Sequence, residues 1–447
     1  MRFIWNPDGF RPDDFLPSRL RHQADAARVL VHLIEYRRLD KRYKAHDGVT
    51  LQAKFLRNVV GVEHCEAIRD CLAAQGVISV RRSYTVGLHS FEFKIGPLFK
   101  SSPFRRVQVT DKFLIGRMDR HLSRTVPDPH DPTEVGLFSW LKELTIDAPA
   151  AKAYASTFGE GAEWVRQKAL SIDMIEQADH WFTRDRFRRV HTNFTNLWGG
   201  LRRFLAVGGE QVVELDIANS QPLFFGLLAL AKWQLSQDGE GEQTVLSEMT
   251  IPRRLIDTTC NNSVSISPPP IPSLYDAGMH AGSQRYLPHD LANYMTLVQR
   301  GTIYEFLMDK ARRTWEDRGE FKESFFQHVF YAKTPYPNAL ANVFRQEFPS
   351  AHRILTDLKA NEPRDAPRKM QQLEADFVID TCCRKLLTTH PQVPLLTLHD
   401  GIWTTSPHIG LVRQTVEAEF AKLGVHPLLR CRAANGLSLP PDASVQT

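Results

Sequence analysis

One stretch decides the fold of this chain: VVELDIANSQP, residues 212–222. An apolar run reaches an acidic residue, Asp216, and the sequence then becomes polar. This pattern predicts a strand that carries Asp216 at its end and leads into a helix. The segment therefore places one carboxylate at the end of a buried strand.

A second stretch far along the chain repeats this arrangement: PLLTLHDGIW, residues 394–403. It predicts an apolar strand that ends at His399 and Asp400 and enters a hairpin turn. Phosphoryl transfer from a nucleoside triphosphate uses two divalent cations roughly 3.5–4 Å apart. Mg²⁺ prefers carboxylate oxygens together with phosphates and water. Two aspartates on neighbouring strands are a minimal way to hold such a pair of ions.

A helix between the two strands carries cations and an aromatic residue at intervals of four: Arg318, Lys322 and Phe326. Residues four apart lie on the same face of a helix. Two cations and an aromatic ring on one face suit a triphosphate and a stacked base. Alone, the pattern is more typical of an amphipathic helix with a solvated lysine and buried phenylalanines.

In this order, the three segments resemble the palm and fingers of family A DNA polymerases and, more distantly, the single-subunit phage-type RNA polymerases. The resemblance covers about half of the chain, from Arg189 to Trp403. It implies an α+β fold of the right-hand polymerase type with an antiparallel palm sheet. It also implies that Asp216 and Asp400 bind two Mg²⁺ ions, with Mn²⁺ as a substitute.

The resemblance assigns roles to further residues. It makes Lys322 catalytic and gives Arg318, Phe326, Phe330 and Gln221 to the incoming nucleoside triphosphate. It gives contacts with the DNA template-primer to four residues: Arg189, Asn193, Gln372 and His399.

Three positions depart from the family pattern. Gln221 stands where family members usually have a glutamate that helps to exclude the ribose 2′-hydroxyl, Phe330 stands at the usual tyrosine, and Gln327 replaces a glycine. An aromatic wall at Phe330 still excludes a 2′-hydroxyl sterically, whereas a glutamine both donates and accepts hydrogen bonds. We expect deoxynucleotides, and these residues leave ribonucleotides open.

Residues 49–100 predict a separate DNA-binding module. Two short helices, 51–56 and 63–74, precede two alternating strands, 77–84 and 90–95, and this is the order of a winged helix. Winged helices place a helix in the major groove and a basic wing on the backbone. Arg81, Arg82, His89 and Lys94 would then contact phosphates, unless the module serves only for protein packing.

The remaining regions complete the predicted organisation. We expect an N-terminal helical segment over 1–48, a mainly helical, thumb-like connector over 101–185 that includes a helix from Val109 to Arg124, and palm and fingers over 186–447. The Asn- and Pro-rich residues 258–283 predict a flexible insertion.

The composition of the chain indicates its partners and its cellular compartment. Residues 1–130 contain 23 Lys and Arg against 14 Asp and Glu, although the whole chain carries a net charge of only +5. Such a basic region attracts phosphate backbones. We find no membrane-spanning run and no signal peptide, and six cysteines without a Cys-x-x-Cys pair indicate reduced thiols in a cytoplasmic protein.

We therefore expect a nucleic-acid-templated nucleotidyltransferase, a DNA-directed DNA polymerase of the kind that replicates a phage, plasmid or other mobile element. An RNA polymerase or primase on the same palm is the first alternative. A catalytically inert DNA-binding replication or regulatory protein is the second.

Overall fold

The computed structural model describes residues 2–39, 48–81, 91–122, 126–158, 160–238, 287–311, 315, 317–333 and 338–435. Arg82, His89 and the expected insertion over 258–283 lie outside these ranges. The chain forms two compact units. The first unit comprises Met1–Asp128, Phe138–Thr183 and His191–Gln211, and the second comprises Pro129–Leu137, Arg184–Val190 and Val212–Thr447.

The first unit mixes helices with small antiparallel sheets; α6, β7 and β8 continue across its boundaries along the chain. Its elements in chain order are β1 (Arg2–Pro7), α1 (Pro12–Phe15), α2 (Ala24–Arg38), β2 (Val49–Thr50), α3 (Ala53–Val60), α4 (Cys65–Ala74), β3 (Ile78–Arg81), β4 (Glu92–Ile95), β5 (Phe104–Val109), α5 (Lys112–His121), α6 (Pro132–Lys142), β6 (Leu144–Ile146), α7 (Ala148–Ser156), α8 (Ala162–Glu176), β7 (Phe182–Arg184), β8 (Val190–Thr192), α9 (Asn193–Asn196) and β9 (Leu205–Val207).

The helices and strands expected within 49–100 are present, with β2 as an addition. Strands β2 and β3 both pair antiparallel with β4, so the sheet has the order β2-β4-β3. Helix α4 ends at Ala74 with Gln75 as its C-cap, and Gly76 then adopts a φ of +71°, which favours glycine. The pattern of alternating apolar residues therefore predicted these elements correctly.

One expectation for the connector is wrong. Val109 does not begin a helix but ends β5, where it pairs with Arg2 of β1. The helix that follows, α5, begins at Lys112 because the Asp111 side chain accepts hydrogen bonds from the backbone N–H groups of Phe113 and Leu114. Pairing between strands more than a hundred residues apart leaves no local signal.

The second unit contains the two predicted aspartate segments. Its elements are β10 (Glu210–Ile217), whose first two residues belong to the first unit, α10 (Ser220–Asp238), α11 (His289–Arg300), α12 (Ile303–Lys310), α13 (Arg318–Phe325) with a π-helical turn (Phe326–Phe330), α14 (Ala339–Glu347), α15 (Pro349–Leu358), α16 (Asp365–Ala375) with a π-helical segment (Asp376–Cys383), α17 (Arg384–Thr389), β11 (Leu396–Leu398), β12 (Gly401–Thr405), α18 (Ile409–Ala421) and β13 (Leu429–Ala433).

The sheet of this unit is antiparallel throughout. Strand β10 pairs with β12 along one edge and with β13 along the other, and β12 pairs with β11. The order is therefore β11-β12-β10-β13. Asp216 lies in β10, and Asp400 lies in the turn between β11 and β12.

Helix α10 supplies much of the core of the second unit. Residues Leu223, Phe224, Phe225 and Leu228 are all buried. Phe224 packs against Phe377, with the ring centroids 5.8 Å apart, and Phe225 packs against Tyr294 at 5.7 Å. A helix that is apolar on several faces is a core helix, and the sequence predicted a helix at this position.

The molecule is thus a mixed α and β protein with antiparallel sheets, in agreement with the coarse fold class. Among the described residues, no helix is long and apolar enough to cross a membrane. The finer subdivision into 1–48, 49–100, 101–185 and 186–447 stays a prediction.

Candidate active site

The second unit contains a cavity of about 460 Å³ at the ends of β10 and β11. Its wall is built from charged and polar side chains with few apolar ones. The lining residues are Arg189, Asp216, Ile217, Asn219, Ser220, Gln221, Tyr304, Arg318, Lys322, Phe326, Tyr331, Glu374, His399, Asp400, Arg430 and Arg432. Both predicted aspartates and all three residues of the predicted helix face therefore meet in one place.

Asp216 lies near the end of β10, where the strand is paired with β13, one residue beyond its last pair with β12. Its partner in the β13 register is Arg430, and its carboxylate lies 3.5 Å from the guanidinium of Arg432. Burial raises the pKa of Asp216, while the positive charges of Arg432 and Arg430 act in the opposite direction. The carboxylate is thus held in a partly desolvated position beside cations.

Asp400 occupies the second position of the two-residue turn between β11 and β12, where Leu398 pairs with Gly401. The preceding residue, His399, has a φ of +56°, and a positive φ at this position is typical of tight hairpin turns. Burial raises the pKa of Asp400 well above its usual range, and the negative charges of Glu374 and Asp216 raise it further. A cation bound here would relieve this repulsion.

Gly401 allows the turn to approach β10 closely. A Cβ atom at this position would lie 3.1 Å from the Glu214 carboxylate and 3.4 Å from the Leu398 carbonyl oxygen. The glycine after Asp400 is therefore explained by packing of the hairpin against β10. The hairpin that carries Asp400 is a neighbour of β10 because β12 pairs with β10, although Asp400 itself lies in the turn and β11 pairs only with β12.

The donor set fits a hard divalent cation. Asp216 and Asp400 offer carboxylate oxygens to one cavity, and each raises the electrostatic cost of ionising the other. Within the described ranges, no cluster of three or more His, Cys, Asp or Glu side chains could hold a metal. Mg²⁺ bound at two aspartates would therefore take further oxygens from phosphates and water, as it does in nucleotide enzymes.

Helix α13 brings the predicted cations to the cavity. The Asp317 side chain caps this helix by accepting a hydrogen bond from the Glu320 N–H. Arg318 donates hydrogen bonds to Glu305 (2.7 Å) and to the Asn219 side chain (3.1 Å). Lys322, one turn later, is exposed to the cavity and attracts both aspartates electrostatically.

The aromatic wall differs from the expectation. Phe330 was expected to wall off the nucleotide, but its side chain is fully buried against Phe225 and Phe325 and does not line the cavity. Tyr331 lines it instead, together with Phe326, with the ring centroids 5.8 Å apart.

A π-helical turn is the physical reason for this correction. The Tyr331 N–H donates to the Phe326 carbonyl oxygen (2.8 Å), a bond that spans five residues. Residues 326 and 331 therefore share a face, whereas a regular helix would have placed residues 326 and 330 together. The spacing of four residues places Arg318, Lys322 and Phe326 on the cavity side of the helix. The next residue on that side is Tyr331, five positions after Phe326.

Glu374 is a site residue that the sequence did not reveal. Although it lies on α16, its carboxylate faces the cavity, is almost fully buried, accepts a hydrogen bond from Ser220 Oγ (2.8 Å) and is ion-paired with Arg189. The sequence around a glutamate within a helix does not indicate a functional role, and only the fold shows that Glu374 lies near Asp400.

Arg430 and Arg432 were also missed, because a basic residue on a strand is normally a solvated one. Both lie on β13 and line the cavity beside Asp216. Three cavity-lining residues each have a buried polar atom that lacks a hydrogen-bond partner among the described residues: Asn219 Nδ2, Gln221 Oε1 and Tyr304 Oη. Buried polar atoms normally have partners, so the wall fits a polar ligand.

The residues that were expected to contact the template-primer lie in different environments in the structure. Asn193 is wrong as a contact: it is buried, and its side chain bonds with the backbone of Trp181 (2.8 Å) and Asp179 (3.0 Å). Arg189 and His399 do line the cavity, although Arg189 is paired with Glu374. Gln372 lies on α16 outside the cavity wall, and its contact with nucleic acid stays a prediction.

The expected wing residues lie in the first unit. Arg81 ends β3 opposite Glu92, with a side-chain separation of 3.8 Å, and Lys94 lies on β4, 4.0 Å from the same carboxylate. Arg82 is outside the described residues. A contact of Arg81 and Lys94 with DNA therefore stays a prediction.

No protein-family model matches this chain, and no curated protein matches it. Among solved structures, the chain is similar to the POL domain of Pol1 from M. smegmatis, solved in complex with DNA primer-template and dNTP. The similarity covers 92% of this chain and 71% of that one, at 11% sequence identity and a TM-score of 0.36. The geometry of the cavity, and not this match, is the basis of the proposal that follows.

Proposed function

We propose that this chain is a nucleic-acid-templated nucleotidyltransferase, a DNA-directed DNA polymerase that extends a primer with deoxynucleoside triphosphates. One observation carries the proposal: Asp216 and Asp400 face one polar cavity together with Lys322 and Arg318. Carboxylates for metal ions and cations for phosphates are the parts that phosphoryl transfer requires.

Each cavity residue has a task in this reaction. Asp216 and Asp400 would hold two Mg²⁺ ions, which supply charge stabilisation to the attacking and leaving oxygens. Lys322 neutralises negative charge on the triphosphate, and Arg318 is placed beside it by Glu305 and Asn219. Phe326 and Tyr331 offer ring surfaces to the base or sugar.

Gln221 is proposed to contact the sugar of the nucleotide. Gln221 lines the cavity, and its Oε1, which is buried without a partner among the described residues, is able to accept a hydrogen bond from a hydroxyl group. This property keeps a ribonucleotide-using enzyme on the same scaffold as the second candidate. Parallel extension reactions with each set of nucleotides distinguish the two.

We further propose that the module from β2 to β4, together with α2, is a winged helix that binds DNA. The order α2, β2, α3, α4, β3, β4 and the exposed Arg81 on the hairpin support it. A polymerase of this size joined to a DNA-binding module suits replication of a phage, plasmid or other mobile element.

The test is extension of a labelled primer on a DNA template in Mg²⁺. We expect Asp216→Asn and Asp400→Asn each to reduce the extension rate by at least about a hundredfold, because loss of a metal ligand costs more than loss of an outer partner. Asp357→Asn, an exposed change on α15 outside the cavity, serves as the matched control. Wild-type protein that extends no primer, or an Asp400→Asn variant as fast as the control, would refute the proposal.

A further inference from the structure

Strand β13 presents two arginines to the cavity from the edge of the sheet that lies away from Asp400. Arg430 and Arg432 are two residues apart, so their side chains share a face of the strand. In the β13–β10 register they stand opposite Asp216 and Glu214, respectively. Because β10 pairs with β12 along its other edge, Asp216 has the Asp400 turn on one side and these arginines on the other.

The cavity holds more positive than negative charge. Among its described lining residues are five cations (Arg189, Arg318, Lys322, Arg430 and Arg432) and three carboxylates (Asp216, Asp400 and Glu374). Arg189 is paired with Glu374, and Arg318 with Glu305. Arg432 lies between Asp216 (3.5 Å) and Glu214 (3.9 Å).

Arg430 differs from these arginines. Arg430 is half-buried, and its positive charge opposes the burial that raises the pKa of Asp216, yet it has no carboxylate within 4 Å among the described residues. A half-buried guanidinium is stabilised by bidentate hydrogen bonds with a carboxylate or a phosphate.

The fold holds this arginine in a fixed place. The Leu428 N–H donates to the Gln299 carbonyl oxygen (2.8 Å), and the Leu428 carbonyl accepts from the Ala218 N–H (3.0 Å). Gly301, which has a φ of +74°, lies close to the same segment. A Cβ atom built on this glycine would lie 3.2 Å from Ala218 Cβ and 3.5 Å from Arg430 Nη2. The positive φ accounts for the glycine, since a Cβ 3.5 Å from the guanidinium would be at an ordinary contact distance.

We propose that Arg430 and Arg432 form a phosphate-binding subsite for the nucleic-acid strand whose end is extended, separate from the triphosphate cations of α13. This inference rests on the proposed function, because templated extension brings two polyanions to the same carboxylates. Lys322 and Arg318 approach Asp216 from a helix, and the β13 pair approaches it from a strand. Two residues along a strand span about 6.8 Å, so the pair contacts a linear polyanion at two points.

The test measures binding without catalysis. A fluorescent duplex oligonucleotide with a recessed 3′ end is titrated with wild-type protein, Arg430→Gln and Arg430→Lys at several salt concentrations, with no nucleotide present. Each phosphate contact contributes about 0.7–0.9 to the slope of log affinity against log salt. We expect Arg430→Gln to lower the slope by about this amount and to weaken binding about three- to tenfold, while Arg430→Lys retains most of both.

Arg345→Gln is the matched control, since it removes an exposed arginine of α14 that does not line the cavity. Thermal melting of each variant confirms that it is folded. An Arg430→Gln variant with the affinity and salt slope of the control would overturn the subsite. So would a variant that binds DNA normally but has a raised KM for the nucleotide. If the Arg430 variants differ from wild-type protein in DNA binding as predicted, but wild-type protein extends no primer, the subsite is supported and the proposed polymerase activity is refuted.

Discussion

Lys359 fastens the turn that places Tyr331 in the cavity. The residue follows α15 and is only 6% exposed, and its Nζ donates to the carbonyl oxygens of Val329 (2.5 Å) and Ala332 (3.0 Å). These carbonyls lie on either side of Tyr331, at the end of the π-helical turn. Burial lowers the pKa of Lys359 to about 8. The Lys359 amine therefore stabilises the irregular backbone at the end of the π-helical turn.

We expect Lys359→Met to lower the free energy of unfolding at pH 7 by about 2 kcal/mol, because two buried carbonyls lose their partner. Between pH about 8 and 10.5, the unfolded chain still holds the proton that the folded protein has released. The stability of wild-type protein relative to Lys359→Met should therefore rise with pH across this window. Urea unfolding at several pH values measures it, with the partly exposed Lys232→Met as the control; a difference that stays flat or falls contradicts the assignment.

At the residue scale, the sequence predicts side chains that end a recognisable element. Asp216 and Asp400 follow apolar strands, and the structure brings both to one cavity. Glu374 and Arg430 lie within ordinary elements, and only long-range pairing makes them neighbours of the aspartates. Asn193 carries a polar side chain that the fold uses for backbone hydrogen bonds, which the sequence pattern cannot distinguish from a ligand contact.

At the element scale, elements with a regular apolar period were predicted correctly from the sequence, whereas positions where that period is interrupted were not. Helices α3, α4 and α10 and the hairpin strands were predicted because their apolar residues repeat with the expected period. The π-helical turn after Phe325 inserts one residue and shifts the inward position from Phe330 to Tyr331. Strand β5 was missed because its partner, β1, lies about a hundred residues earlier in the sequence.

The hairpin formed by β3 and β4 carries its own prediction. Replacing Arg81 and Lys94 by Gln together should weaken duplex binding and lower its salt slope by about 0.9 per charge, if both contact phosphates. The rate of incorporation at saturating DNA should not change, because both residues lie in the first unit and the cavity lies in the second. A double variant at the exposed Arg345 and Arg353 is the charge-matched control. Equal affinity and slope for both double variants would make the hairpin a packing element.

At the scale of the whole molecule, the chain concentrates its proposed chemistry in one of its two units. All sixteen described residues that line the cavity belong to the second unit. The excess of basic residues instead lies within 1–130, almost all of it in the first unit. Composition could indicate this division of charge, whereas the boundaries of the units depend on contacts between distant segments.

The most direct test of the account locates the metal ions. Crystals of wild-type protein with a primer-template, an unreactive nucleotide analogue and Mn²⁺ allow the ions to be placed by their anomalous scattering. We predict two peaks about 3.5–4 Å apart, in contact with the carboxylates of Asp216 and Asp400. A nucleotide bound in the cavity with no peak at these aspartates, or with its ions held by other residues, would contradict the central claim.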